Sequence, residues 1–159
     1  MPDSSYNSNS TGDGVVGGSD ESWDTIHDSS SESAQGAAST APIQCTRLSN
    51  NIFIIQRGFF PFDTSGLPDD CTIISATLTI YAAPGGDNLG DKEYCLVQSS
   101  QASDISLANG DFDLCGDSID SPTEGAPRIA ITSTGSKVFT LNSTGLGWIS
   151  KTGYTSLGV

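Results

Sequence analysis

The chain has 159 residues, enough for one ordinary domain, and sets nineteen acidic against six basic residues for a net charge of −13. Three Lys and three Arg, scattered along it, cannot form the basic patch that nucleic-acid phosphates or an anionic membrane surface require. Apolar residues make up only 35%, and the shortfall is filled by Ser, Thr and Gly rather than by charge, so short strands and long polar loops are expected rather than helices.

Residues 1–42 hold no Lys or Arg and are dense in acids, Ser, Thr and Gly. The opening Met1-Pro2-Asp3-Ser4-Ser5 has neither a basic n-region nor an apolar h-region, so any export signal is expected upstream of it. Val15-Val16, Trp23 and Ile26 are the apolar points of this segment. They argue that part of it packs on the domain or is donated as a strand, against a fully disordered tail. The run Asp28-Ser29-Ser30-Ser31-Glu32-Ser33 is a loop by composition.

From Ile43 the character changes, and residues 43–159 read as one β-domain. Ile43–Leu48 is a short strand and Ser49-Asn50-Asn51 a turn. Ile52–Phe62 is nearly continuous apolar and β-prone sequence. Pro61 lacks an N–H and so places the far end of that strand at an edge or bulge. Cys71–Ala82 alternates: Ile74, Ala76, Leu78, Ile80 and Ala82 form an apolar face, expected to meet Phe60, Phe62, Phe139 and Trp148 in the core. Further strands are expected at Glu93–Gln98, Arg128–Thr132, Lys137–Leu141 and from Tyr154, with one helical turn within Gly145–Lys151. Six to eight short strands joined by turn-rich loops predict an all-β fold, an antiparallel β-sandwich of jelly-roll type. No run of 18 apolar residues exists to span a membrane.

Cysteines stand at 45, 71, 95 and 115, with no Cys-x-x-Cys pair and His27 as the single histidine, which argues against structural zinc. Four widely spaced cysteines in an acidic chain read as two disulfides outside the cytosol. The alternative is four buried thiols. The expected pairing is Cys45–Cys71 and Cys95–Cys115. Asn9 and Asn142 open the two glycosylation sequons. Asp111, Asp113 and Asp117 crowd an oxygen-rich stretch that calcium could use. Cys115 at the fifth position and Pro122 at the twelfth break an EF-like pattern, and a solvated acidic loop is the plainer reading. No catalytic motif is present, so no enzymatic activity is expected.

The segment Arg57-Gly58-Phe59-Phe60-Pro61-Phe62-Asp63-Thr64-Ser65-Gly66-Leu67-Pro68 runs into Ile73-Ile74-Ser75-Ala76-Thr77-Leu78-Thr79-Ile80-Tyr81. It resembles the signature of the β-sandwich domains called DNRLRE, a carbohydrate-binding-module-like family of extracellular domains. Asp13-Gly14-Val15-Val16, Glu21-Ser22-Trp23, Ala108-Asn109-Gly110-Asp111-Phe112-Asp113 and Gly145-Leu146-Gly147-Trp148-Ile149-Ser150-Lys151-Thr152-Gly153 extend the likeness over roughly residues 13–159. The resemblance implies a secreted or cell-surface location and a core role for Trp148. It also implies a closing strand after Leu157-Gly158, which leaves two readings open: a sequence cut short, or a strand supplied by another chain. Asp63 with Thr64 and Ser65 reads as an Asx/ST turn. Arg57 is expected to pair with Asp63 or Asp113 as scaffold rather than as site. Tyr6, Trp23, Tyr94 and Tyr154 are the candidate rings to stack on sugars. The leading expectation is a non-catalytic structural or adhesive module of a surface fibre, filament or larger adhesin, self-associating or joined to neighbouring domains. A polysaccharide-binding module and a phage or virion fibre or decoration domain are the alternatives.

Overall fold

The computed structural model describes residues 4–8, 11–36, 42–82 and 93–159, and these are mostly β with antiparallel pairing throughout. The spine is β4 (Phe53–Asp63), eleven residues and about 33 Å long at about 3.3 Å per residue. On one edge lies β1 (Gly14–Asp20), running from Gly14 opposite Phe59 to Asp20 opposite Phe53, with β2 (Ser33–Gly36) outside it. The other edge is shared. β3 (Gln44–Arg47) covers Phe53 to Gln56, and β10 (Tyr154–Gly158) covers Phe59 to Asp63, with β7 (Val97–Gln98) beyond β10.

The ladder explains Pro61. Gly58 and Val159 exchange both backbone hydrogen bonds, at 2.8 and 3.0 Å, so even-numbered residues of β4 bond towards β10 and odd-numbered ones towards β1. The missing N–H of Pro61 therefore faces the edge where β1 has already ended.

Side-chain alternation along β4 splits the interior into two cores, one on each face. Ile55 and Phe59 point into a cluster with Val16, Ile26 and Phe112. That face is covered by the helix α1 (Trp23–His27) and a 3₁₀ helix, Asn109–Leu114. Phe62 points the other way, into a cluster of Leu78, Leu96, Ala126, Phe139, Leu141 and Leu157. A ribbon of β5 (Thr77–Ala82) and β9 (Gly135–Thr140) closes that side, beside the short pair β6 (Glu93–Tyr94) and β8 (Ile129–Ala130). The helical turn α2 (Ser143–Gly147) is capped by Asn142.

Several expectations change. Val15 and Val16, 1% and 0% exposed, belong to a strand with neighbours on both edges, and both neighbours come from the same chain. The strand at Cys71–Ala82 is regular only from Thr77, and Ile74 is 75% exposed rather than in the core. Leu78 is buried, and Ala76 and Ile80 pack on the same cluster. The reason is the partner: β9 ends at Thr140, opposite Thr77, and Leu141 N–H to Ala76 is the last bond before Asn142 turns the chain into α2. An alternating pattern buries a residue only where a second strand exists to carry the opposing layer. Phe60 is half-buried and, with Ile43, fills the space over Gly58 instead of joining the cluster around Phe62. Glu93–Gln98 is two strands, because the chain changes partner from β8 to β10 across Cys95-Leu96.

Candidate functional site

α1 starts at Ser22, whose Oγ accepts from the Thr25 N–H at 3.3 Å. Its two rings, Trp23 and His27, are four residues apart and stack at 5.0 Å with 25° between planes, while Phe53 meets Trp23 edge-on at 5.8 Å. The 3₁₀ helix lies on the same face of the sheet, its Phe112 sharing a cluster with Ile26 of α1. Asp111, 1% exposed, accepts the Ala102 N–H on Oδ1 and the Ala108 N–H on Oδ2, each at 2.8 Å, and so fixes the turn that presents Phe112.

Arg57 joins these parts. Nη1 donates to the Phe112 carbonyl at 2.8 Å, Nη2 to the His27 carbonyl at 3.2 Å, and the guanidinium lies 4.0 Å over the Phe112 ring. Burial pushes the guanidinium down from its ordinary value, and the charges of Cys115, Asp113 and Cys45 oppose that. Beside it opens a cleft of about 200 Å³, lined by Arg57, Asp113, Cys115, Gly116, Asp117, Ser118 and Ile119. Gly116, at φ 101°, makes the bend that the cleft wall needs. His27, whose carbonyl Arg57 holds, binds Asp28 Oδ1 at 2.7 Å through Nδ1, and its Nε2 is 3.9 Å from Asp120 Oδ1.

The three carboxylates expected to share a calcium ion do three separate jobs. Both oxygens of Asp111 are occupied by backbone N–H groups, and Asp113 faces Arg57. Asp117 accepts the Thr123 hydroxyl at 2.6 Å and its N–H at 2.7 Å, bonds that hold its carboxyl below the usual range. Among the described residues no three of His, Cys, Asp and Glu converge to hold a metal. Arg57 does not pair with Asp63, which lies six residues, or about 20 Å, further along the strand. Asp63 instead accepts the Ser65 hydroxyl at 2.6 Å and its N–H at 3.1 Å, which lowers its own pKa.

None of the four cysteines is in a disulfide. Cys45 lies opposite Ile55. Cys71 is held through its carbonyl by Lys151, three residues before the Tyr154 that pairs with Asp63 at the far end of β4. The two are therefore more than a disulfide's reach of about 4.4–6.8 Å apart. Cys115 bridges to Ser99, four residues past Cys95. Burial pushes the Cys95 thiol up, and lifts the Cys115 thiol to about 12 against the opposing charge of Arg57.

The expected stacking rings do not form a platform. Tyr94 is half-buried and donates its hydroxyl to the Ile43 carbonyl at 2.5 Å, its pKa raised by burial. Trp23 stands at the Phe53 end of β4 and Tyr154 at the Asp63 end. Tyr6 is half-buried, two residues before the Ser8 bridge to Phe62. The most exposed aromatic is Tyr81, at 73%, beside the 50% exposed Val138 on the outer face of the ribbon. Its place on the polar face of Thr77 and Thr79 was a sequence signal for that exposure. Trp148 packs on the ribbon-side core and against Gly125. Asn142 uses Oδ1 to cap Gly145 and Nδ2 to hold the Glu124 carbonyl, both at 3.0 Å, and Asn9 lies outside the described residues. Compared with known proteins, the chain matches no family model, no curated protein and no solved structure, so its likeness to the DNRLRE domains rests on the motif residues alone.

Proposed function

We propose that the chain is a non-catalytic structural or adhesive module of jelly-roll type, acting in a secreted or cell-surface assembly. The observation that carries this reading is the β5–β9 ribbon: among the described residues each of these six-residue strands has only the other as its strand neighbour. Such an edge accepts a further strand from a neighbouring subunit or domain. The side chains that looked site-like support the same reading, since Arg57, Asp111, Asp117 and Asn142 all brace backbone. The test is light scattering over a concentration series, with hydrogen exchange to map the contact. Association that protects the outer amides of β5 and β9 is expected. A protein that stays monomeric with unchanged exchange there contradicts the reading.

A second reading, a carbohydrate-binding module, is favoured by the Arg57 cleft. A donor-only guanidinium, the acceptor-only carboxylate of Asp113 and the Ser118 hydroxyl line it together with Ile119. A cation meets Arg57, an anion meets Asp113 and Asp117, and an apolar ligand offers none of them a partner. Neutral vicinal hydroxyls satisfy both kinds of group. The volume is below the roughly 300–1,000 Å³ of drug-sized pockets, which suits one sugar ring at a chain end. Amide shifts of Gly116 and Ser118 on titration with neutral methyl glycosides, lost in Asp113→Ala, are the expected result. Unmoved amides at saturating glycoside count against it.

A further inference from the structure

We propose that β5 is the docking edge of the ribbon and that its partner is β5 of a second copy of this chain, the two strands pairing antiparallel about a two-fold axis at Thr79. The pairing rests on the ribbon being an assembly edge, as proposed above, and adds the strand, the partner and the register. The ladder decides which groups are free. Leu141 donates at 3.0 Å to the carbonyl of Ala76, one step beyond the pair Thr77 and Thr140. Bonded pairs alternate along an antiparallel ladder, so Leu78, Ile80 and Ala82 bond to β9, while Thr77, Thr79 and Tyr81 turn their N–H and C=O groups to the outer edge. Among the described residues no strand takes those groups up. With Thr79 opposite the second copy's Thr79, Thr77 falls opposite Tyr81 and Tyr81 opposite Thr77. Each pair exchanges two bonds, which uses every outward N–H and C=O of both strands.

The side chains agree with that register. On the inner face each Leu78 falls opposite the second copy's Ile80, which carries the ribbon-side cluster across the contact. On the outer face Tyr81, 73% exposed, gains an aromatic and β-branched pair with Thr77. β9 has a self-matching set of its own at Ser136, Val138 and Thr140, but it carries the half-buried Lys137 on its Phe139 face, opposite Ile80. An inward-pointing lysine is a device that blocks edge pairing. β5, Thr-Leu-Thr-Ile-Tyr-Ala, holds no charge, proline or glycine. Charge favours the same place. At −13 the copies repel one another, and the outer face of the ribbon, Thr77, Thr79 and Tyr81 beside Ser136, Val138 and Thr140, contains no acid. A two-fold contact matches the same strand on both copies, so it closes as a dimer and does not run on as a filament. One strand per copy makes a small interface, and a weak dimer is expected.

The experiment is sedimentation equilibrium of the whole chain up to about 1 mM, with hydrogen exchange measured at both ends of the series. A monomer–dimer equilibrium that tightens with added salt is expected, with protection at the Thr77, Thr79 and Tyr81 amides and none at Ser136, Val138 and Thr140. Thr79 is exposed, so Thr79→Lys and Thr79→Glu keep the fold. Each sets like charges opposite one another and weakens the dimer by about two- to fivefold. An equimolar mixture of the two restores it as a heterodimer, because residue 79 faces itself across the axis. Protection at the β9 amides, growth past the dimer, or a mixture no tighter than its components overturns this pairing and leaves the ribbon reading standing. A chain that stays monomeric, or that protects neither strand, overturns both.

Discussion

Gly125 offers the sharpest test of how the ribbon-side core is held. Its backbone is fixed from both sides: its N–H donates to the Leu96 carbonyl and its own carbonyl accepts the Asn142 N–H, both at 2.8 Å. A Cβ added there would sit 2.1 Å from Cζ3 of Trp148 and 2.7 Å from Cη2. With the backbone pinned, Trp148 must move, and it packs against the cluster of Leu78 and Phe139. Overpacking of this kind costs about 1–3 kcal/mol, which for a chain of this size lowers Tm by roughly 2–4 °C per kcal/mol. The cost should vanish once the indole is gone. In a Trp148→Ala background, Gly125→Ala is expected to cost under about 0.5 kcal/mol, a coupling of about 1–3 kcal/mol. Gly145→Ala is the control, because its Cβ would meet the Gly125 carbonyl oxygen at 2.3 Å, a backbone clash that Trp148→Ala cannot relieve. Urea and thermal unfolding of the six proteins read the cycle. Additive effects of Gly125→Ala and Trp148→Ala would show that the indole is not what Gly125 accommodates.

Three further outcomes are expected. Leu78→Ala should lower stability by about 2–5 kcal/mol and Ile74→Ala by under about 0.5, a contrast that a urea titration resolves and that equal losses would refute. Asp111→Ala should cost about 2–6 kcal/mol, since it orphans two N–H groups that each lose about 1–3, and exchange at the Ala102 and Ala108 amides should rise with it. Above about pH 8.5 an unfolded thiol ionises, while folded Cys115 keeps its proton to about 12. The unfolded state then binds fewer protons, so this group lowers stability as pH rises, by up to about 1.4 kcal/mol per pH unit, and Cys115→Ala should flatten that slope.

The fold was legible where the information is local. Ile52–Phe62 announced β4, and the alternation of Thr77 to Ala82 fixed which face of β5 is buried, because a period of two is written in adjacent residues. It failed where partnership decides. Cys71–Ala76 carries the same alternation as the strand it precedes, yet β9 ends first and leaves Ile74 in solvent. The polar composition of residues 1–42 hid β1 for a related reason. Gly17 and Gly18 look like loop residues, but a Cβ at Gly17 would lie 2.4 Å from the Ile55 carbonyl oxygen, so glycine is what close approach to the neighbouring backbone requires at that position.

The site was less legible because its contacts span the chain. Arg57 was singled out, but its acceptors are main-chain carbonyls 30 and 55 residues away, and a carbonyl leaves no trace in residue type. Reading a guanidinium as the partner of a nearby carboxylate led to Asp63, although a rise of about 3.3 Å per residue puts six residues of strand beyond any arginine's reach. The same geometry limits every inference from clustered acids. Asp111, Asp113 and Asp117 crowd one stretch of sequence, but the 3₁₀ turn and the bend at Gly116 aim them apart, one inward to the Ala102 and Ala108 amides, one to Arg57 and one to Thr123. Spacing in a loop says which charges are neighbours in the chain. What holds each carboxylate in the fold, backbone amides at Asp111, Arg57 at Asp113 and Thr123 at Asp117, decides whether they can meet at one ion.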